Sequence, residues 1–196
     1  MSITPLTRRA SICILGAAFL AAGITPALAS DAADVVRNGA SRILQVLKAG
    51  GSDAEREATM TAVMQESFDL QAIGRSVLGR HWNAATPEQQ QRFIAAFSRA
   101  EVKAYSARFK QYSGQTMSVG KATNNGASQM VESQIVQPNA TQPVRLVWEV
   151  QNGKIVDVVI EGVSMAATRR SDFNAFIQRN GVDGLIKELE RRGGQA

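Results

Sequence analysis

A chain of 196 residues with 44% hydrophobic and 20% charged positions has the apolar side chains for a packed core, which excludes a disordered tail. Its formal net charge of +5 is spread along the sequence, without the clustered Lys and Arg that a nucleic-acid surface needs. A single cysteine, Cys13, and a single histidine, His81, exclude an internal disulfide, a Cys-based metal site and a His pair.

The first residues read as an export signal. Arg8 and Arg9 form a positive n-region, Ile12 to Ala22 an apolar h-region, and Ala27-Leu28-Ala29 a small-residue cleavage site. The expected division is therefore a cleaved signal over 1–29 and one domain over 30–196. About a dozen apolar residues fall short of the ~20 that span a bilayer. "TRRASIC" partly resembles a twin-arginine signal, with Ser11 where a large apolar residue is usual, so the export route stays open. Cys13 lies inside this signal and lacks the small-residue setting of a lipoprotein site. The mature chain is then expected to have no thiol and a net charge of about +3, which suits a periplasmic location.

Residues 32–48 place Val36, Ala40, Ile43, Leu44 and Leu47 on one helical face, and Gly50-Gly51 stops the helix. Ser52-Asp-Ala-Glu55 has capping-box spacing and opens a second helix, with Met60, Val63 and Met64 as its apolar stripe. "FDLQAIGRSVLG" predicts a shorter helix ending at Gly79. Thr86-Pro-Glu-Gln89 combines a cap, a proline at the first helical position and a reciprocal glutamine, and starts a long helix reaching about Gln111. After Gly114 the period becomes alternating, with strands predicted over 115–122, 127–137, 143–151 and 154–162. Two helices, about 169–179 and 182–191, close the chain, with Ser171 or Thr168 as the cap of the first. The expected class is α+β: N-terminal helices, a four-stranded twisted antiparallel sheet, then C-terminal helices.

"EVQNGKIV" predicts a hairpin, because Asn152-Gly153 suits a two-residue type I′ turn. A regular register would set Val150 opposite Ile155, Trp148 opposite Asp157 and Leu146 opposite Val159. One face would carry Val144, Leu146, Trp148, Val150, Ile155 and Val159, and the other Val147, Val156, Val158 and Ile160. Apolar residues on both faces call for cover on both sides. Helices on both faces of an ordinary core and an apolar ligand cavity both satisfy that demand.

Little in the sequence resembles catalytic chemistry. No G-x-S-x-G elbow accompanies His81, and no glycine-rich phosphate loop or acidic metal loop is present, so no catalytic residue, cofactor or metal is expected. Among the sheet carboxylates Glu149, Asp157 and Glu161, Asp157 opposite Trp148 is the best general-base candidate, with Glu161 the other one considered for that role. A small cavity-based isomerase or hydrolase using either is the alternative of another class.

"FDLQAIGRSVLGRHWNAATPEQQQRFIAAFSRAEVKAY" together with "VVIEGVSMAATRRSDFNAFIQRNGVDGLIKEL" closely resembles the MlaC or toluene-tolerance family of periplasmic lipid-binding proteins, over about residues 35–190. Leu78-Gly79…Trp82, Thr86-Pro87-Glu88-Gln89-Gln90…Phe93…Phe97 and Glu161-Gly162-Val163-Ser164 with Arg169-Arg170-Ser171-Asp172-Phe173 carry the resemblance most specifically. It implies a sheet shaped like the nuclear-transport-factor-like folds, with added helices enclosing an apolar cavity. It also implies a soluble periplasmic shuttle that holds phospholipid acyl chains and exchanges them between two partners. These are an inner-membrane ABC transporter with a lipid-binding periplasmic subunit and an outer-membrane lipoprotein complex. A hopanoid is the alternative cargo. The wall candidates are Ile73, Val77, Leu78, Phe97, Tyr105, Val147, Val158, Ile160 and Met165, with Arg169 and Arg170 as candidates for headgroup or partner contact. Met64, Met130 and Met165 would suit a wall that adapts to variable chains.

Overall fold

In the computed structural model, which describes residues 32–138 and 140–194, local side-chain chemistry sets most element boundaries. The expected signal, with Cys13 and the cleavage point after Ala29, lies outside the described residues. Helix α1 (Ala32–Lys48) ends at the predicted glycines, and α2 (Asp53–Ser67) opens with a complete capping box. There the Glu55 N–H donates to Ser52 Oγ at 3.2 Å while the Ser52 N–H donates to Glu55 Oε2 at 2.7 Å. Helix α3 (Leu70–Leu78) is capped by Asp69, which accepts from the Ala72 N–H at 2.9 Å. A 3-10 turn, Gly79–His81, follows it. Helix α4 (Pro87–Phe109) repeats the capping box with Thr86 and Gln89.

Strands β1 (Thr116–Asn125), β2 (Ser128–Val136), β3 (Val144–Gln151) and β4 (Lys154–Ile160) form the predicted antiparallel meander. Asn152 and Gly153 take φ of 50° and 71°, as a type I′ turn requires. The sheet has five strands rather than the four expected. A second tight turn, Glu161-Gly162 with φ of 49° and 82°, folds the two-residue β5 (Val163–Ser164) back onto β4.

Helix α5 (Met165–Arg192) begins immediately after β5, four residues earlier than predicted. Its cap is Ser164, whose Oγ accepts from the Ala167 N–H at 3.0 Å, and not Ser171 or Thr168. The segment "SMAATRRS" is thus the cap and opening turns of a helix. Gly181, at φ 70° and ψ 173°, kinks α5 into the two halves that the sequence predicts.

The core is divided among three apolar clusters. In the first, α3, α4 and α5 meet around Phe93, Phe97 and Phe173; Phe93 stacks on Phe97 at 5.7 Å, and Phe173 stands edge-on to both at 5.9 Å. In the second, Ala32, Ala33 and Val36 of α1 cover Val131, Val150 and Ile155 of the sheet. In the third, Met60 and Met64 of α2 pack on Val102 of α4. No helix among the described residues is long and apolar enough to cross a membrane.

Candidate functional site

Strand β4, "KIVDVVI", is apolar at five of its seven positions, yet Ile155 alone is buried. The predicted register holds at the turn, where Gln151 pairs with Lys154 and Val150 with Ile155. It then slips, because Glu149 pairs with Asp157 and leaves Val156 as the extra residue of a β-bulge. Trp148 therefore faces Val158 and Leu146 faces Ile160, while Val147 faces Val159. This overturns the expected grouping: Val158 and Ile160 share a face with Leu146 and Trp148, and Val147 lies on the other face. Asp157 is likewise moved off the Trp148 face.

The wall candidates divide into two sets by burial. Val77, Leu78 and Phe97 are interior residues of the α3–α4–α5 cluster, with 4% or less of their surface exposed. Ile73, Tyr105, Val147, Val158, Ile160 and Met165 are half-buried. Ile73 packs against the first cluster, Val158 against the second and Tyr105 against the third, and α1, α2, α3 and α5 all touch β4 along a seam. Phe68, missed in the sequence reading, packs against both the second and third clusters. Its backbone pairs with the start of β4, where the Asp69 N–H donates to the Ile155 carbonyl at 3.0 Å. Leu70, also missed, joins it from α3. The signal for both was the apolar pair in "FDL", which a helical period does not explain. Of the methionines expected to adapt, Met64 is buried between α2 and α4, and Met130 is half-buried.

Glu101, Arg169 and Arg170 are held by protein partners. Arg169 donates from Nε to Glu101 Oε1 at 2.8 Å and from Nη2 to Oε2 at 3.2 Å, a two-pronged ion pair joining α5 to the buried Glu101 of α4. Glu101 raises the Arg169 pKa above its ordinary value, mainly through this hydrogen bond. Burial pushes the Tyr105 phenol up, and the charge of Glu101 adds to that effect. Arg170 donates from Nε to the Ser76 carbonyl at 2.6 Å and from Nη2 to Ser76 Oγ at 2.7 Å, closing the last turn of α3. Arg169 and Arg170, expected at a headgroup or partner contact, each also tie α5 to a neighbouring helix.

Neither candidate general base faces an apolar cavity. Asp157 accepts from the Ser164 hydroxyl, from the Val158 N–H at 2.7 Å and from the Ala166 N–H at 3.0 Å, so its carboxylate anchors the first turn of α5. Glu161 sits exposed in the β4–β5 turn and accepts from the Arg145 N–H. Among the described residues, no group of three or more His, Cys, Asp or Glu is arranged to hold a metal ion.

Two surface clefts are also present, and none of the half-buried wall candidates lines either. One of about 640 Å³, bounded by Asn38, Arg42, Glu66, Gln129, Val150 and Lys154, is half polar and takes none of the predicted residues. The other, about 430 Å³, lies where α3 meets α5 and includes Leu78 and Arg170.

A family model described as MlaC protein matches residues 37–191. The chain is 24% identical over 135 residues to the intermembrane phospholipid transport system binding protein MlaC of Haemophilus influenzae, covering 65% of this chain. It spans only 63% of that relative's length. With the toluene tolerance protein ttg2D of Pseudomonas putida it shares 27% identity over 172 residues, covering 83% of this chain and 80% of that one. A solved structure of a phospholipid-binding protein from Ralstonia solanacearum, in complex with a phospholipid, superposes with a TM-score of 0.69 at 25% identity, covering 85% of this chain and 98% of that one.

Proposed function

The chain belongs to the MlaC family, and from that membership we propose that it is a non-enzymatic phospholipid carrier whose acyl chains lie in the seam between β4 and the helices. The observation that carries the reading is β4 itself, a strand apolar on both faces with a single buried residue. A strand of that composition in an ordinary core would be covered; here the cover is completed by the cargo. Ile73, Tyr105, Val158, Ile160 and Met165 form the wall in this reading, with Val77, Leu78 and Phe97 as the fixed packing behind it. Val147, on the opposite sheet face, is outside the wall.

Each acyl CH₂ taken from water into apolar surroundings contributes about 0.8 kcal/mol, so two chains hold a lipid without any specific headgroup bond. Release then requires a partner or membrane that offers the chains an equally apolar place. In this proposal the residues after a signal at 1–29 work in the periplasm, between an inner-membrane ABC transporter with a lipid-binding subunit and an outer-membrane lipoprotein complex. The test is organic extraction and mass spectrometry of protein purified without detergent. Near-stoichiometric phospholipid supports the carrier, a polycyclic hopanoid reassigns the cargo, and protein that is lipid-free and takes up none from vesicles overturns the reading.

A further inference from the structure

The 430 Å³ cleft is lined by Leu78, Gly79, Arg80, His81, Ala167, Arg170, Ser171 and Asn174, and no carboxylate is among them. Its geometry follows from one amide. Arg80 Nη2 lies 2.9 Å from Asn174 Oδ1, and His81 Nε2 lies 3.0 Å from the same atom. A guanidinium only donates, so the atom it meets is the amide oxygen; His81 must then present Nε2 as N–H. With Oδ1 held from one side by two donors, the Asn174 Nδ2 amide protons have no acceptor among the described residues.

Across the cleft, Arg170 is fixed by Ser76 through Nε and Nη2, which leaves Nη1. Its stem crosses Gly79, where an added Cβ would lie 3.4 Å from Arg170 Cδ. Ser171 adds a hydroxyl from the next position of α5. The cleft thus combines two guanidinium groups, an amide N–H pair and a hydroxyl, beside the apolar Leu78 and Ala167. Asp172, the neighbouring acid of α5, turns towards Arg169 at 3.9 Å.

We propose that this cleft binds a phosphate-type oxyanion, a mono- or diester, through Arg80, Arg170, Ser171 and Asn174. Planar guanidinium groups match the geometry of phosphate oxygens, and the absence of a competing carboxylate leaves their charge for a ligand. The apolar neighbours accommodate the carbon of an ester. This site does not require the lipid seam, and it would stand in a chain that carried no acyl cargo.

His81 is the only histidine in the chain, so its imidazole gives one NMR signal that reports on the cleft. The intact protein is titrated at fixed pH and ionic strength with inorganic phosphate, with glycerophosphoglycerol as a soluble phosphodiester, and with chloride. Saturable movement of the His81 signal by a phosphate probe, absent with chloride, is expected. Saturation by the diester identifies a lipid headgroup as the source, and saturation by inorganic phosphate alone identifies a free anion; either supports the site. Asn174→Asp should weaken binding at least tenfold while keeping the contacts to Arg80 and His81, and Arg80→Gln should weaken it less. Both variants should retain the lipid content of the parent, which separates failure of this site from failure of the carrier reading. Linear movement equal to that with chloride, or unchanged affinity in Asn174→Asp, overturns the proposal.

Discussion

Ile160→Ala separates a cavity wall from an ordinary core. The substitution removes three carbon groups, worth about 2.4 kcal/mol if all were withdrawn from water at about 0.8 kcal/mol each. Ile160 is only half-buried, so delipidated protein should lose roughly half of that, about 1.2 kcal/mol, in urea unfolding. If acyl chains cover the rest, the other 1.2 kcal/mol or so appears as weaker lipid binding, roughly sevenfold by competition with a fluorescent phospholipid. Val150→Ala is the control: Val150 is 2% exposed in the α1–sheet cluster, so its loss should appear in stability with lipid affinity little changed. The reasoning fails if Ile160→Ala costs 2.4 kcal/mol or more in delipidated protein and leaves lipid affinity untouched.

Gly79→Ala should lower stability by roughly 1–3 kcal/mol in thermal unfolding, because φ 53° with ψ −125° is open to glycine and strained for alanine. Ser164→Ala removes both the cap of α5 and the hydroxyl that donates to Asp157, and should cost about 1–2 kcal/mol with early amide exchange at residues 165–168. In Tyr112→Phe protein, Tyr105 is the one remaining tyrosine, and its absorbance titration should lie above the ordinary value near 10. Folding holds that phenol neutral, so stability is unaffected below the unfolded value and falls as pH rises past it; a midpoint at or below 10 would contradict the burial. Hydrogen bonds from Arg191 and Arg192 hold Glu188 down to about 2, so its contribution is present above the ordinary carboxylate range and lost as pH falls towards 2. Amide exchange in the last turn of α5 should accelerate over that interval, and Glu188→Gln should abolish the pH dependence.

The features legible in the sequence are those whose causes are local. The capping boxes at Ser52 and Thr86 and the Asn152-Gly153 turn each rest on residues within a few positions of one another, and each forms as predicted. The second hairpin was equally local, since Glu161-Gly162 is another acidic or polar residue followed by glycine. Reading "IEGVS" as one strand end hid it, which displaced the expected start of α5 from Met165 to about residue 169. The change from helical to alternating period located the α+β frame that the solved phospholipid-binding structure shares, but a regular hairpin register put Val147 and Val158 on one wall.

Their separation depends on the bulge at Val156, which lies beside the bridge between Phe68 and Ile155, a contact distant in sequence. In a regular ladder Asp157 would stand beside Trp148, a carboxylate among apolar neighbours, and Val158 would turn to the face that carries Glu149 and Gln151. One extra residue exchanges the two. Val158 then joins Trp148 and Val150, and Asp157 reaches Ser164 and the Ala166 N–H at the start of α5. A single local distortion therefore makes one sheet face apolar along Leu146, Trp148, Val158 and Ile160 and fastens the adjoining helix. Asp157→Asn tests this coupling. The amide can still accept from the Ala166 N–H but with a weaker, neutral hydrogen bond, so α5 should loosen by about 1 kcal/mol. If the bulge relaxes as well, Val158 leaves the Trp148 face, and Trp148 fluorescence should shift to the red in step with reduced lipid loading. Loss of stability with unchanged fluorescence and loading would show that the anchor and the register are independent.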